Sequence, residues 1–350
     1  TMAQPQAALP VHAHEWLQRA RYHEEIQDTN GTHYTVFLFA QDEISRLEEV
    51  PSYLAKGGDV LYEGTYQLAI QKKGEQEVHL QPDVTLFDQK EGMKTVFNRD
   101  RTNIRVIDNR LLAVFLPESS NYTSAELFRI QDGHLVQLTK EKKIALFGTT
   151  IKAIGDNLLQ TVEYNNSGDN DSGWVFNTWL IEPTGVNLYD SIAYNDQREL
   201  QGLEKGKQHY LQWKEKKAYI HPYHDLKVTK EWLHQAEKGR LTGSTYAVGD
   251  SFTQTVYTYG PPVVMDHVEG GDHYEFGNVA YVSSNGKTIS TVVIPGERVN
   301  MTLDDIKDVL GPPSFEGINE VNGGYYISYS AGPYVLLFDG TDKEKDITDV

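Results

Sequence analysis

Few residues in this chain are placed to do chemistry, and each group falls short of a known arrangement. His221-Pro222-Tyr223-His224-Asp225 gathers two imidazoles and a carboxylate, donors that suit a transition metal. Pro222 breaks the i, i+4 helical geometry of two-histidine motifs, and no third ligand follows at a fixed spacing, so these histidines read as structural or linker residues. His12-x-His14-Glu15 lacks zincin spacing and reads the same way. The run Asn165-Asn166-Ser167-Gly168-Asp169-Asn170-Asp171-Ser172-Gly173 clusters oxygen donors of the kind Ca²⁺ prefers, with Asp169 and Asp171 as its carboxylates. Gly173 falls where the EF-hand spacing needs an acidic or Asn ligand, so the expectation is a polar hairpin tip.

The chain carries no Gly-x-Ser-x-Gly elbow, Walker-type loop, Gly-x-Gly-x-x-Gly or His-Glu-x-x-His. No catalytic residue, metal or cofactor is therefore assigned. A glycosidase could still hide its two carboxylates among 50 acidic residues, because their separation of roughly 5 to 10 Å leaves no sequence trace. A cell-envelope hydrolase with a carboxylate site in an N-terminal β domain thus stands as the alternative to a binding protein. The binding candidates are Tyr274, Tyr281, Tyr325, Tyr326 and Tyr329, since tyrosine offers large contact area at low ordering cost. Strand alternation puts Tyr325, Ile327 and Tyr329 on one face and Tyr326 and Ser328 on the other, so half of these side chains must serve as core.

A duplication positions those tyrosines. Tyr259-Gly260-Pro261-Pro262 returns fifty-one residues later as Leu310-Gly311-Pro312-Pro313, and Tyr274 and Tyr325 keep the same offset. In the second copy Thr302 is an N-cap, Asp304 and Asp305 favour the positive helix start, and Ile306, Val309 and Leu310 form a buried stripe. Gly311 ends the helix and Pro312 prevents its continuation. In the first copy Ser251 or Thr253 is the cap, Val256 and Tyr259 the stripe, and Gly260-Pro261 the stop; the acidic pair is missing. Strands follow each stop. Val279–Ser284 and Lys287–Ile294 flank Asn285-Gly286, a type I′ hairpin signal, and Tyr334–Phe338 followed by Asp339-Gly340 repeats the idea. Each copy thus predicts a helix on a small antiparallel meander.

The stretch Leu233–Val350, with Ala236-Glu237-Lys238-Gly239-Arg240, Tyr246-Ala247-Val248-Gly249-Asp250 and the paired Gly-Pro-Pro elements, resembles a family of uncharacterised secreted proteins and lipoproteins of Gram-positive bacteria. At fold level it looks like the repeats of β-lactamase-inhibitory protein and of the outer-membrane assembly lipoprotein BamE. The resemblance covers the last third of the chain and implies an architecture without implying a catalytic residue.

Upstream, β-rich runs separated by Gly, Asn and Asp turns predict a degenerate β-propeller or a β-sandwich. They include Tyr34–Phe39, Gly64–Gln71, Leu111–Leu116, Ala125–Leu138, Leu158–Tyr164, Trp174–Glu182, Gln208–Trp213 and Ala218–His221. Leu127–Leu138 is the clearest hairpin, turning at Asp132-Gly133. Helices are expected at His14–Glu25, Asp42–Glu49 and Thr229–Lys238, and the lysines between Lys205 and Lys217 read as a solvated strand face. The division expected is a spacer and lead-in helix over 1–33, a β-rich domain over 34–224, and a tandem α+β domain over 225–350 with repeats at about 249–298 and 299–350.

Charge and composition narrow the partners. Thirty-two Lys and Arg against 50 Asp and Glu give −18, which disfavours nucleic acid or an anionic membrane held by charge neutralisation. With no Cys, disulfides and thiolate metal sites are excluded. No run approaches the about 18 apolar residues of a transmembrane helix. The 21 Tyr, five Trp and acidic balance suit an exterior setting. Residues 1–10 read as a spacer without the charged and apolar regions of an export signal. The expectation is a secreted or membrane-tethered chain whose signal, or signal plus lipid-bearing Cys, has been removed, with a cytosolic start as the alternative. The sequons at Asn30, Asn121, Asn165, Asn170 and Asn300 are chance matches if the source is bacterial.

Overall fold

The structure, a computed structural model, describes residues 11–87, 94–140, 143–155, 157–166, 172–198, 200–217, 219–223, 226–259, 261–299, 301–320, 323–341 and 347–349. It is mostly β, with 45% strand and 15% helix in several antiparallel sheets. The chain divides into two compact units, Thr1–Tyr189 with Asn195–Gln197, and Asp190–Tyr194 with Arg198–Val350.

The first unit opens with β1 (Val11–His12), α1 (Ala13–Arg19), β2 (Tyr22–Gln27), β3 (His33–Phe39), β4 (Ile44–Leu47) and β5 (Val60–Gly64). Next come β6 (Gln67–Lys72), β7 (Glu77–Leu80), β8 (Thr95–Asn98), β9 (Ile104–Ile107), β10 (Leu111–Pro117), β11 (Thr123–Gln131), β12 (His134–Gln137) and β13 (Ile144–Leu146). β14 (Lys152–Gly155), β15 (Leu158–Asn165), β16 (Gly173–Ile181) and β17 (Val186–Asn195), whose Asp190–Tyr194 are counted in the second unit, follow. They form sheets ordered β1-β7-β6-β3-β2, β4-β5-β8, β12-β11-β10-β9 with β13 beside β11, and β14-β15-β16-β17.

Three of these sheets are stacked by residues that alternate between two cores. In β3, Tyr34, Val36 and Leu38 join Leu112, Val114, Phe128 and Ile130 in one core, while Phe37 and Phe39 pack with Trp16 of α1 on the other side. In β10 the alternate residues Leu111, Ala113 and Phe115 meet Leu159, Trp179 and Ile181 of the β14–β17 sheet. A continuous apolar run such as Leu111–Leu116 is therefore a strand buried on both faces. The hairpin at Asp132-Gly133 turns as expected, with φ of 50° and 77° and Gln131 paired to His134. No closed barrel or propeller is detected among the described residues.

Several local expectations fail here. Helix α1 stops at Arg19, and Tyr22–Gln27 instead pairs with β3, so residues 11–27 are part of a sheet and not only a spacer and helix. Asp42–Glu49 is not helical: β4 pairs with β5, and Asp42 and Glu43 bind partners distant in sequence. Asp42 accepts from Thr65 N (2.7 Å) and Thr65 Oγ1 (3.0 Å), and Glu43 accepts from Arg21 and from Tyr66 Oη (2.8 Å).

In the second unit, α2 (Gly202–Glu215) replaces the strand expected at Gln208–Trp213. Its buried residues Gly202, Gly206, Tyr210 and Trp213 recur at helical spacing, so the intervening lysines lie on a helix and not a strand. Helix α3 (Glu231–Ala236) comes next, then the two repeats. The first holds α4 (Phe252–Tyr259), β18 (Val264–Val268), β19 (Gly271–Glu275), β20 (Ala280–Ser283) and β21 (Thr291–Val293). The second holds α5 (Leu303–Leu310), β22 (Phe315–Ile318), β23 (Tyr325–Ala331), β24 (Tyr334–Gly340) and β25 (Ile347–Asp349). Their sheets run β18-β19-β20-β21 and β22-β23-β24-β25.

The two helices obey the duplication residue for residue: Phe252 and Leu303, then Thr255 and Ile306, are the buried positions. Thr302 Oγ1 accepts from Asp305 N (3.1 Å), Asp305 Oδ2 accepts from Thr302 N (2.9 Å), and Gly311 ends the helix at φ 89°. Both repeats contribute to one core, in which Phe252, Tyr281 and Ile294 of the first meet Leu303, Ile327 and Phe338 of the second, with Trp232 from α3. Two turn assignments change. Asn285 lacks the positive φ of a type I′ turn and instead accepts from Lys287 N (2.8 Å) and Thr288 N (2.9 Å) in a wider loop. Asp339-Gly340 closes β24, with a register shift against β25 between the two residues, and the tight turn before β24 is at Gly332, with φ 61°, followed by Pro333.

Candidate binding surface

The five candidate tyrosines separate by side of the sheet. Tyr281 is fully buried, its hydroxyl 2.9 Å from Ser244 Oγ and 3.3 Å from Tyr259 Oη, and burial pushes its pKa up. Tyr329 is buried too and donates to the carbonyl of the helix stop Gly311 (3.0 Å), tying β23 to the end of α5. Tyr274 stacks on Phe252 with ring centroids 4.3 Å apart, and Tyr325 packs against the same core. These four are packing residues, and as partner-contacting residues Tyr281 and Tyr329 are corrected by their burial. Tyr326 alone of the five lies on the opposite face.

That opposite face is apolar in the second repeat. Phe315, Ser328 and Leu337 are cross-strand partners, as are Ser330 and Val335, and directly opposed residues share a face. Phe315 is 70% exposed, Val335 68% and Leu337 45%. Tyr326 opposes Gly317, where an added Cβ would lie 3.4 Å from the ring, so the tyrosine covers the glycine. Val335 and Leu337 also line a groove of about 490 Å³ with Thr291 and Val293 of β21, Arg240 and Tyr334. β21 is an edge strand, so backbone hydrogen-bonding groups border this groove. Phe315, Val335 and Leu337 were not among the sequence candidates; the signal was Tyr334–Phe338, apolar at every position, on a sheet whose helix covers only one side.

The first repeat presents a different face. At the matching positions it carries Val264, Asp266 and Glu275, with His273 beside them, and His273 Nδ1 lies 2.7 Å from Asp266 Oδ1. Burial, reinforced by Glu297 and Asp266, raises the pKa of Glu275, which His273 partly offsets.

His221 and His209 are committed to the fold. His221 is buried, its Nδ1 donating to Pro222 O (2.9 Å) and its Nε2 accepting from Tyr194 Oη (2.9 Å). Burial, then the neighbouring His209, pushes its pKa down to about 3, so the ring is neutral with both nitrogens engaged. His209 Nδ1 lies 2.6 Å from Tyr219 Oη. His224, Asp225, Asp169 and Asp171 lie outside the described residues; among those described, no three His, Asp or Glu side chains gather as a metal site. His14 bonds Gln18 (2.8 Å) and His12 sits in β1. A cavity of about 380 Å³ holds Asp28, Glu75 and Asp132; Asp28 accepts from Asn30 N and Thr32 N (both 2.8 Å), and Glu75 pairs with Lys72 (3.4 Å).

Comparison with known family profiles, curated proteins and solved structures finds no match.

Proposed function

We propose that the chain is a non-catalytic binding protein of the cell exterior, taking a protein or cell-wall polymer on the outer face of the second repeat's sheet. The observation that carries this reading is the exposed apolar row of Phe315, Leu337 and Val335 beside Tyr326, on a sheet whose other face is already filled by its helix. Large apolar side chains grouped on one open face mark recognition surfaces more often than isolated ones do. The adjoining groove extends the same surface. Its helix-and-meander plan is duplicated, the arrangement expected of inhibitor-type repeats. The three stacked sheets of the first unit fit a blade-like stack better than a two-layer sandwich, because the middle sheet is buried on both faces. The charge of −18 favours a partner that is not itself strongly anionic.

The test is a binding comparison with isolated Gram-positive cell walls and with a purified envelope-protein fraction. Phe315→Ser with Leu337→Ser should weaken binding about tenfold or more while leaving the thermal midpoint nearly unchanged, as expected for aromatic and aliphatic anchors. Val264→Ser, at the matching position of the first repeat, should leave binding intact. Equal loss in both variants, or undiminished binding by the double variant, would move the surface elsewhere.

A further inference from the structure

Along most of its length β24 has an open side. In the β23–β24 ladder Ser328 opposes Leu337, and Ser328 O accepts from Ser314 N (2.8 Å) on the β22 side. Opposed residues of an antiparallel pair either exchange both backbone bonds or point all four groups outward. The N–H and C=O of Leu337 therefore face away from β23, and two residues along those of Val335 do the same. β25 takes up this side of β24 only at its end, pairing Asp339 with Asp349 and Gly340 with Ile347. In that register the partners of Leu337 and Val335 stand two and four places past Asp349. Among the described residues no group bonds to the outward backbone of either one.

The groove of about 490 Å³ continues the place that β25 occupies. β25 lies against both β24 and the 3₁₀ turn Gly296–Arg298, which comes just after β21, so at that end a strand of this chain already fills the gap between the two sheets. Further along, the same gap is walled by Thr291 and Val293 on one side and by Val335 and Leu337 on the other. Its floor is apolar: Leu241, Val248, Val292 and Leu336 belong to the shared core or pack on it. Tyr334–Leu337 run beside it for roughly 13 Å at about 3.3 Å per residue, room for a four-residue strand. A strand placed here would point alternate side chains down onto the floor and out beside Leu337 and Phe315.

We infer that the groove captures an extended polypeptide segment, added antiparallel to β24 in line with β25 and bonded to the N–H and C=O of Leu337 and Val335, with an aliphatic residue at every second position on the floor. Strand addition of this kind takes its affinity from main-chain bonds and its specificity from the pockets that receive alternate side chains. A glycan carries no run of N–H and C=O groups at strand spacing. The inference rests on the second repeat being the binding part of the chain, and it narrows the partner to a polypeptide.

Calorimetric titration of the full chain with the blocked peptide acetyl-Lys-Thr-Val-Thr-Val-Thr-Lys-amide tests it. The peptide should bind saturably. The same peptide N-methylated on its threonines keeps every side chain but loses the N–H groups that meet β24, and should bind about tenfold or more weakly. Exchanging its valines for serine should weaken binding too. Val335→Pro removes one outward N–H from an exposed position and should weaken the parent peptide, whereas Val335→Thr, which keeps that N–H, should not. The N-methylated peptide is read on the unaltered chain, so misfolding of a variant cannot mimic the result. The proposal fails if either altered peptide binds as well as its parent or if no peptide binds. It also fails if the chain alone dimerises in sedimentation and Val335→Pro abolishes the dimer, which would make the occupant a second copy. Phe315→Ser with Leu337→Ser separates this proposal from the function above. Loss of envelope binding in that variant, with no peptide bound by the parent chain, keeps the apolar face and removes the groove; peptide binding by the parent chain, with envelope binding unmoved in the variant, keeps the groove and removes the face.

Discussion

The two repeats of the second unit bury the same positions and expose different ones. Phe252 and Leu303, Thr255 and Ile306, Phe276 and Ile327 keep their offset and are all buried. On the outer faces, Val264 is matched by Phe315, Asp266 by Gly317 and Glu275 by Tyr326. Their strand pairings differ by two residues, Val264 opposing Glu275 but Phe315 opposing Ser328. An even shift keeps every side chain on its own face, so the plan survives the slip where a one-residue slip would have turned it inside out. Packing therefore constrains one side of each sheet and leaves the other free to specialise, acidic in the first repeat and apolar in the second.

The largest effect expected bears on whether the repeats are independent. Because they share one core, Phe338→Ala in the second repeat should cost about 3 to 5 kcal/mol and lower the stability of both repeats together in a single denaturation transition. Two separate transitions, with the first repeat unmoved, would show two cores where one is described.

A smaller difference concerns the helix starts. Thr302→Ala removes the reciprocal cap of α5 and should cost about 1 kcal/mol in chemical denaturation. Among the described residues Ser251 Oγ meets only the hydroxyl of Thr253 (3.2 Å), so Ser251→Ala should cost clearly less. Equal losses would mean that the acidic pair Asp304-Asp305 does not distinguish the two starts.

The smallest effect is electrostatic. The folded pKa of Glu275 lies above its ordinary 4.5, so the stability it contributes is present below that value and is lost as pH rises through the folded pKa. Glu275→Gln should flatten the fall in stability just above pH 4.5, whereas Tyr326→Phe at the matching position should leave the pH profile unchanged. A Glu275→Gln profile parallel to that of the parent would show the carboxyl to be solvated in the folded chain.

How much of this was legible beforehand follows from the range of the interactions. The duplication, the cap at Thr302, the stop at Gly311 and the turn at Asp132-Gly133 were readable, because each is decided by neighbours a few residues apart. Asp42–Glu49 misled because its acids bind Thr65, Arg21 and Tyr66, partners that no local pattern announces. Gln208–Trp213 misled for a different reason: the stripe of Gly202, Gly206, Tyr210 and Trp213 was present, but two of its members are glycines, which carry no apolar signal.

The binding surface divides along the same line. Sequence alone determined that Tyr325 and Tyr329 share one face and Tyr326 takes the other, because side-chain period along a strand is a local property. Only the tertiary structure decided which face is core. That choice depends on where α5 and α3 lie against the sheet, and it sent Tyr329 inward to the carbonyl of Gly311 while leaving Tyr326, Phe315 and Leu337 outside. Burial is a property of the whole packed unit, so the residues that meet solvent, and with them any partner, could be named only once the helices were in place.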